Sequence, residues 1–379
     1  MKKDIIYYLI VLILLTACSS SNDNNFSQNS VNNVGDNAND GSTGGGDNNG
    51  DGFDNLLPTD WLIPINDIVD AGPGPDGIPS IDNPQFVKTF EPAANYLEPD
   101  DLVVGIVVGN VARAYPHKIL DWHEIVNDYI SNKLISISYC PLTGTGFAWE
   151  GESSEIPTAF GVSGLLYNGN LILYDRTTQS YWSQLKLQCV SGISIGEEPS
   201  LINIVETNWA TWKANYPQTK VLSLNTGFIR DYATYPYGSY RTDHDFLIYP
   251  VSQLDTQLPS KERVHAIIDN GTIKAYRLST FENGNLINET FNGNDYLIVG
   301  NNNLINSFEL IEEHANLDFE LQLDGLQVFF TDNEGNKWNI LGKAIEGPRT
   351  GEKLTASKSV MSYWFAIAAF YPNPEIYTE

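Results

Sequence analysis

Short apolar runs broken by Gly, Asn and Pro set the rhythm of this chain. Leu102–Val108, Leu134–Tyr139, Leu171–Tyr174, Val221–Leu224, Val264–Ile268 and Tyr296–Val299 read as strands bounded by turn signals. Helical periodicity is scarce, and predicts only short helices over His117–Asp128, Asn208–Tyr216 and Met361–Phe370. The pattern predicts a β-rich α+β body. Before all of these lies a different texture. Lys2 and Lys3 precede an apolar stretch from Ile5 to Leu15, too short for a comfortable membrane span, and Leu15-Thr16-Ala17-Cys18 follows.

That N-terminus is similar to a bacterial lipoprotein signal. It implies cleavage after residue 17, lipid on Cys18 and an exported protein held on a membrane, at the periplasmic face or the cell surface. From Ser19 to about Asp54 the chain is nearly all Ser, Asn, Asp and Gly, ending in DGSTGGGDNNGDG. A segment with so little to bury cannot offset the entropy of ordering, so residues 18–55 are expected to be a disordered spacer. Folded sequence is expected from residue 56. The formal charge of −26 disfavours nucleic acid and anionic lipid headgroups as partners, since both need basic surface. The anchor lipid and a small molecule or glycan remain as expected partners, the latter served by a rich supply of Tyr and Trp.

The apolar pattern also repeats. DLVVGIVVGNVARAYPHKIL, from Asp101, lies over ERVHAIIDNGTIKAYRLSTF, from Glu262, with Tyr115 on Tyr276, Arg113 on Lys274 and Val103 on Val264. The same shift places Val126-Asn127-Asp128 over Ile287-Asn288-Glu289. Further on Trp182 matches Trp338, and NWATWKANYP matches YWFAIAAFYP with Trp209 on Trp364. Order and spacing predict an internal duplication, with related units over 56–225 and 226–379 packed about a pseudo-two-fold. The copies differ in chemistry. The first has His123, Glu124 and Cys140 where the second has Gly284, Asn285 and Asn301.

Several stretches stand out together: GPGPDGIPSIDNPQFV from Gly72, AYPHKILDWHEIVND from Ala114, YCPLTGTGFAWE from Tyr139, FGVSGLLYNGNLILYDRTTQSYWSQ from Phe160 and the Trp209 and Trp364 segments. Over residue 60 to the C-terminus the chain closely resembles the bacterial and archaeal family catalogued as domain of unknown function 3179. The resemblance implies that the cluster is a family feature and brings no reaction with it. Cys189 departs from that family's pattern.

Four roles stay open for Cys140. With Cys18 lipidated, Cys140 and Cys189 are the remaining thiols of an exported protein and can pair, though the departure at Cys189 speaks against dependence on that bond. His117, His123 and Cys140 are the residue types that hold zinc or copper, with Glu124 or Asp121 adding oxygen. A spacing of six separates the histidines on a regular helix, and Met361 leaves little choice of axial thioether. Catalysis needs a base for the thiol, and His123 with Glu124 or Asp121 supplies one, while the Pro141–Gly146 turn can offer N–H groups to an oxyanion. The plain alternative is a buried structural thiol. A surface binding or accessory protein with an aromatic, acidic cleft is the leading functional reading, and an enzyme or metalloprotein using Cys140, His123 and Glu124 is the alternative. Tyr167, Asn168, Asp175, Arg176, Tyr240 and Arg241 are the candidate ligand contacts. His244 and His265 lack clustered partners. GTGFAW lacks the lysine and helix of a phosphate loop.

Overall fold

The computed structural model describes residues 60–378, apart from 73, 152–157, 324–326 and 328. The expected signal segment, Cys18 and the spacer lie outside the described residues. The body is β-rich α+β, with six sheets and three short α-helices among the described residues: α1, His117–His123; α2, Trp209–Asn215; α3, Trp364–Phe370. No helix among them is long and apolar enough to cross a membrane.

Three kinds of sheet each occur twice with the same order of four strands, Phe86–Lys88 being an added edge strand on Lys220–Leu222 in one of them. In the first kind Leu102–Val108 and Val111–Pro116 form a hairpin. Ile204–Asn208 joins it antiparallel on one side and Lys220–Leu222 joins it parallel on the other. Arg263–Asp269 and Thr272–Arg277 form the corresponding hairpin, with Ser359–Tyr363 antiparallel and Glu375–Ile376 parallel. The second kind is a meander: Ile125–Ile130, Lys133–Cys140 and Thr145–Glu150, extended by Leu201–Ile202. Its counterpart is Asn285–Phe291, Asn294–Asn301 and Leu304–Leu310, extended by Thr355–Ala356. The third kind runs from Phe160–Tyr167 to Gln188–Ser191 in one case, with Ile68–Asp70 added outside, and from Phe319–Leu321 to Ala344–Glu346 in the other.

The cores cross between these series. One apolar cluster joins Leu142, Phe147, Leu173 and Trp182 to Val264, Ala275, Trp364 and Phe365. Another joins Val103, Trp209, Trp212 and Val221 to Leu297, Phe308, Phe330 and Trp338. One face of each hairpin sheet, with its helix, is thus buried against the other half's meander and third sheet. The opposite face packs on the meander of its own half, Val104, Ile106 and Tyr115 against Val126, Ile135 and Ile137 in the first and Ile267 and Tyr276 against Ile287 and Ile298 in the second.

Two sequence expectations move. The helix expected over His117–Asp128 stops at His123, because β-branched Ile125 and Val126 enter the meander and Glu124 breaks the helix at φ +57°. The helix expected over Met361–Phe370 begins at Trp364, the preceding residues Ser359–Tyr363 being a strand paired with Arg263–Asp269. Both remaining thiols, Cys140 and Cys189, are free and buried.

The turn after Cys140 is the seam. The Tyr363 N–H donates to the Thr143 carbonyl at 2.8 Å, and the Ser362 hydroxyl donates to the same oxygen at 3.3 Å. Gly144 sits there at φ +63°, and a Cβ on it would lie 3.3 Å from Arg263 Nη1 and from the Tyr363 ring. A left-handed residue with a crowded Cβ costs roughly 1–2 kcal/mol. Gly144→Ala is therefore expected to lower unfolding stability by about that much, read as a shift in urea midpoint at unchanged m-value; an unchanged midpoint would show that the seam yields.

Candidate functional site

Three stretches far apart in sequence converge beneath Cys140. Thr143 and Thr145 share a 2.8 Å hydroxyl bond, Asn170 Nδ2 donates to both hydroxyls and to Gln184 Oε1, and Thr145 donates to Gln184 Oε1 at 2.7 Å. Gln184 Nε2 in turn donates to Ser138 Oγ at 2.9 Å, which also accepts from Trp149 Nε1 at 2.7 Å. All of these side chains are buried. A satisfied buried network rigidifies what it surrounds, and this one fixes the Pro141–Gly144 turn from below.

From above, the turn's carbonyls are taken in sequence. Tyr235 Oη donates to the Pro141 carbonyl at 3.4 Å, Tyr240 Oη to Leu142 at 3.0 Å, and the Tyr363 N–H to Thr143. The Cys140 carbonyl accepts from Gly144 N–H at 2.8 Å, closing the turn. Sγ is 3.8 Å from the Gly169 carbonyl. Burial pushes the thiol up to about 11, with the neighbouring Glu124 charge adding to it; hydrogen bonds from the Thr143 hydroxyl and N–H and the Leu171 N–H work the other way.

Glu124 is placed by strain. α1 ends there, its N–H bonding the Leu120 carbonyl at 2.8 Å, and its own carbonyl accepts from Tyr139 N–H at 2.7 Å. A left-handed Glu costs on the order of 1 kcal/mol, and such residues concentrate at functional sites. The conformation directs the carboxyl into the protein beside Cys140 and Tyr237. Burial raises it to about 8, a hydrogen bond with Tyr237 opposes that, and the Asp121 charge adds to it. Asp121, one turn earlier, is raised to about 7 by burial, against the pull of Arg241. Arg241 bonds Asp121 Oδ2 at 3.0 Å and lies 3.5 Å over the Tyr235 ring, while Oδ1 is buried without a partner.

A second charged layer adjoins the first. Arg263 pairs with Glu206 across the two halves. His117 packs on Tyr139 at 4.3 Å, and its Nε2 stands 3.6 Å from Glu206, too far for a hydrogen bond. Burial, then Arg263 and Arg241, hold His117 neutral.

The candidate residues therefore separate. Cys140, Glu124, Tyr240 and Arg241 are brought together, and His117 lies beside them. His123 has other partners: Nδ1 with the Pro79 carbonyl at 2.8 Å, Nε2 with Tyr232 Oη at 2.7 Å, and the Phe228 ring at 5.2 Å. Both ring nitrogens are engaged, which leaves neither for Cys140 or a metal. Among the described residues, no group of three His, Cys, Asp or Glu side chains is placed to hold a metal ion. Asp175 accepts from the N–H groups of Thr177, Thr178 and Ser180 and from Trp182 Nε1. Arg176 forks onto Asp76 and reaches Ser80. Asn168 spans the Ala369 carbonyl and the Ser252 N–H, and Tyr167 packs edge-on to Phe370 at 5.2 Å. None of these contacts involves Cys140 or Glu124.

Glu206, Arg263, Tyr139 and Tyr363 escaped sequence reasoning. No local signal marked Glu206, which lies with Ile204 and Asn208 on the partly buried phase of the IVETN strand, opposite buried Val205 and Thr207. Arg263 and Tyr363 carried none, because their role appears only when the halves dock.

The family described as "Protein of unknown function (DUF3179)" matches residues 75–374, so the chain belongs to that family. No curated protein matches the chain, and neither does any solved structure.

The raised Glu124 carboxyl makes a pH prediction. An acid whose pKa is higher folded than unfolded binds more protons when folded, so stability falls as pH rises between the two values. That window runs from about 4.5 to about 8. Thermal unfolding of Glu124→Gln is expected to lose less stability than the parent across it; equal losses would place the carboxyl in water.

Proposed function

We propose that the protein is an exported lipoprotein, tethered through Cys18, whose duplicated β-rich body carries in its first copy a recognition site for a small neutral ligand. The observation that carries the reading is Glu124. It is left-handed, buried, and protonated up to about pH 8 beside the Cys140 thiol and Tyr237. A carboxylic acid kept neutral in an apolar site donates a strong hydrogen bond, which suits a carbonyl or hydroxyl acceptor. Tyr237 beside this acid is partly exposed and offers a ligand aromatic surface, with Tyr235 edge-on to it and itself covered on one face by Arg241.

The duplication is supported by the recurring strand orders, by the exchanged cores and by matched polar pairs. Tyr115 Oη donates to Asp128 at 2.7 Å, and Tyr276 Oη to Glu289 at 2.8 Å. Trp182 Nε1 donates to Asp175 at 3.2 Å, and Trp338 Nε1 to Asp332 at 2.8 Å. A pseudo-two-fold relates such pairs naturally. Where the copies differ, the second is locally satisfied. Asn301, matching Cys140, accepts from the N–H groups of Asn303 and Leu304, and Asn285, matching Glu124, bonds the Thr280 carbonyl. The scaffold therefore needs neither a thiol nor a buried acid at these points.

An enzymatic reading has one observation of its own. The Thr143 hydroxyl and N–H and the Leu171 N–H are directed at Cys140 sulfur, an array that favours thiolate. Alkylation separates the two. In a Cys189→Ala background, the recognition reading expects iodoacetamide to modify Cys140 slowly at neutral pH, with an apparent pKa near 11. Rapid modification with an apparent pKa below about 8 would replace it with the nucleophile reading.

The tether has its own test. Expressed in a bacterium, the full chain is expected in the membrane fraction, with lipid mass on the residue-18 peptide. Cys18→Ser is expected to release it; unchanged fractionation would refute the anchor.

A further inference from the structure

Residues 227–258 run across the Cys140 turn without joining any sheet. Among the described residues, the backbone hydrogen bonds of this stretch are local turns, such as Tyr240 N–H to the Tyr237 carbonyl at 3.1 Å and Thr242 N–H to Ser239 at 2.9 Å, and none reaches another segment. Of its side chains only Tyr232 and Tyr240 are buried, while Phe228, Ile229, Phe246 and Leu254 are exposed. A stretch with few buried apolar groups and no ladder bonds opens at lower cost than the sheets on which it lies.

Side chains hold it down, and most of them end at the candidate site. Tyr240 Oη donates to the Leu142 carbonyl, Tyr235 Oη to Pro141, Arg241 pairs with Asp121, and Tyr237 hydrogen-bonds Glu124. Tyr232 on His123 and the Thr234 carbonyl on Trp122 Nε1, at 3.1 Å, secure one end, and the Ser252 N–H on Asn168 the other. Where the chain returns to the sheets, buried Lys261 donates to the carbonyls of Asp243 at 3.1 Å and Phe246 at 2.6 Å, and its ammonium lies 3.8 Å over the Tyr240 ring. Desolvation of that ammonium is offset by these contacts only while the stretch is closed, which makes Lys261 a latch.

The cover is nearly complete: Glu124 is 5 % exposed and Cys140 1 %. From below, the turn is fixed by the Asn170–Gln184 network, and Tyr363 belongs to a strand paired with Arg263–Asp269. What can yield is the stretch without ladder bonds. We infer that residues 227–258 form a lid over Glu124 and Cys140, latched by Tyr240, Arg241 and Lys261, and that its local opening is the route by which a small molecule reaches the site. This deepens the recognition reading and rests on it for the neutral ligand admitted, whereas the lid itself is reported by the Cys140 thiol.

The test follows iodoacetamide alkylation of the full chain carrying Cys189→Ala, read by mass on the Cys140 peptide at one pH and at urea concentrations below the unfolding transition. The urea slope of an opening scales with the surface it exposes. Alkylation through the lid is therefore expected to rise with urea far less steeply than global unfolding does. Tyr240→Phe, which removes one hydroxyl of the latch, is expected to speed it about fivefold, the size of one hydrogen bond. Val299→Ala, in the apolar cluster with Trp212 and Phe308, is expected to lower the urea midpoint and leave the alkylation rate unchanged. Should Tyr240→Phe fail to fold, Arg241→Met is expected to act in the same direction. A rate that climbs with the full unfolding slope and follows Val299→Ala, or one that neither latch variant moves, would overturn the lid. Failure of the recognition reading shows elsewhere, as an apparent thiol pKa below about 8, and leaves the urea slope as it is.

Discussion

The Thr143 carbonyl accepting from the Tyr363 N–H joins two halves that share two of their apolar cores. Around that bond the polypeptide concentrates its most expensive interactions. Arg263 and Glu206 form an ion pair largely out of water, Gly144 adopts a left-handed turn against Tyr363, and Tyr235 and Tyr240 take the two preceding carbonyls. Removing one partner of such a pair typically costs 3–5 kcal/mol, because the other is stranded. A pair of that kind is weak evidence of net stabilisation. It is better evidence for one docked geometry, since a misplaced half would leave Glu206 buried without Arg263.

The candidate site is a consequence of this docking. Cys140 opens the very turn that the second half clamps, and Glu124 reaches it only because α1 ends in a strained residue whose carbonyl is held by Tyr139. The polar network of Ser138, Thr143, Thr145, Asn170 and Gln184 leaves the turn little freedom. Preorganisation of this sort suits recognition, because the cost of ordering is met during folding. The acid and the thiol are both held neutral near pH 7, so these two groups present donors, and charge is confined to the neighbouring Arg241–Asp121 and Arg263–Glu206 pairs.

Much of the fold was legible in the sequence because β-rich bodies write their pleat into short apolar runs. The strands at Leu102, Lys133, Asn170, Arg263 and Asn294 fell where those runs lay. The end of α1 was not legible, since nothing in DWHEIVND announces that Glu124 adopts a positive φ that Gly or Asn would adopt more cheaply. That one dihedral decides the site. A continuous helix would have kept His123 and Glu124 on one element, and with it the expected partnership of His123 with Cys140. Tyr232 and Pro79 instead claim both nitrogens of His123. Glu206 and Arg263 are 57 positions apart and meet only through tertiary docking, so no local pattern links them.

Whether Glu124 is a protonated acid at neutral pH decides more of this account than any other point. Infrared difference spectroscopy of the parent protein against Glu124→Gln at pH 7 reads it directly. A protonated carboxyl C=O band that is present in the parent and lost in the variant is the predicted result. A spectrum in which the variant removes only a carboxylate band would contradict the account, because Glu124 would then be an ordinary anion and the site would offer charge where the proposed recognition calls for a donor.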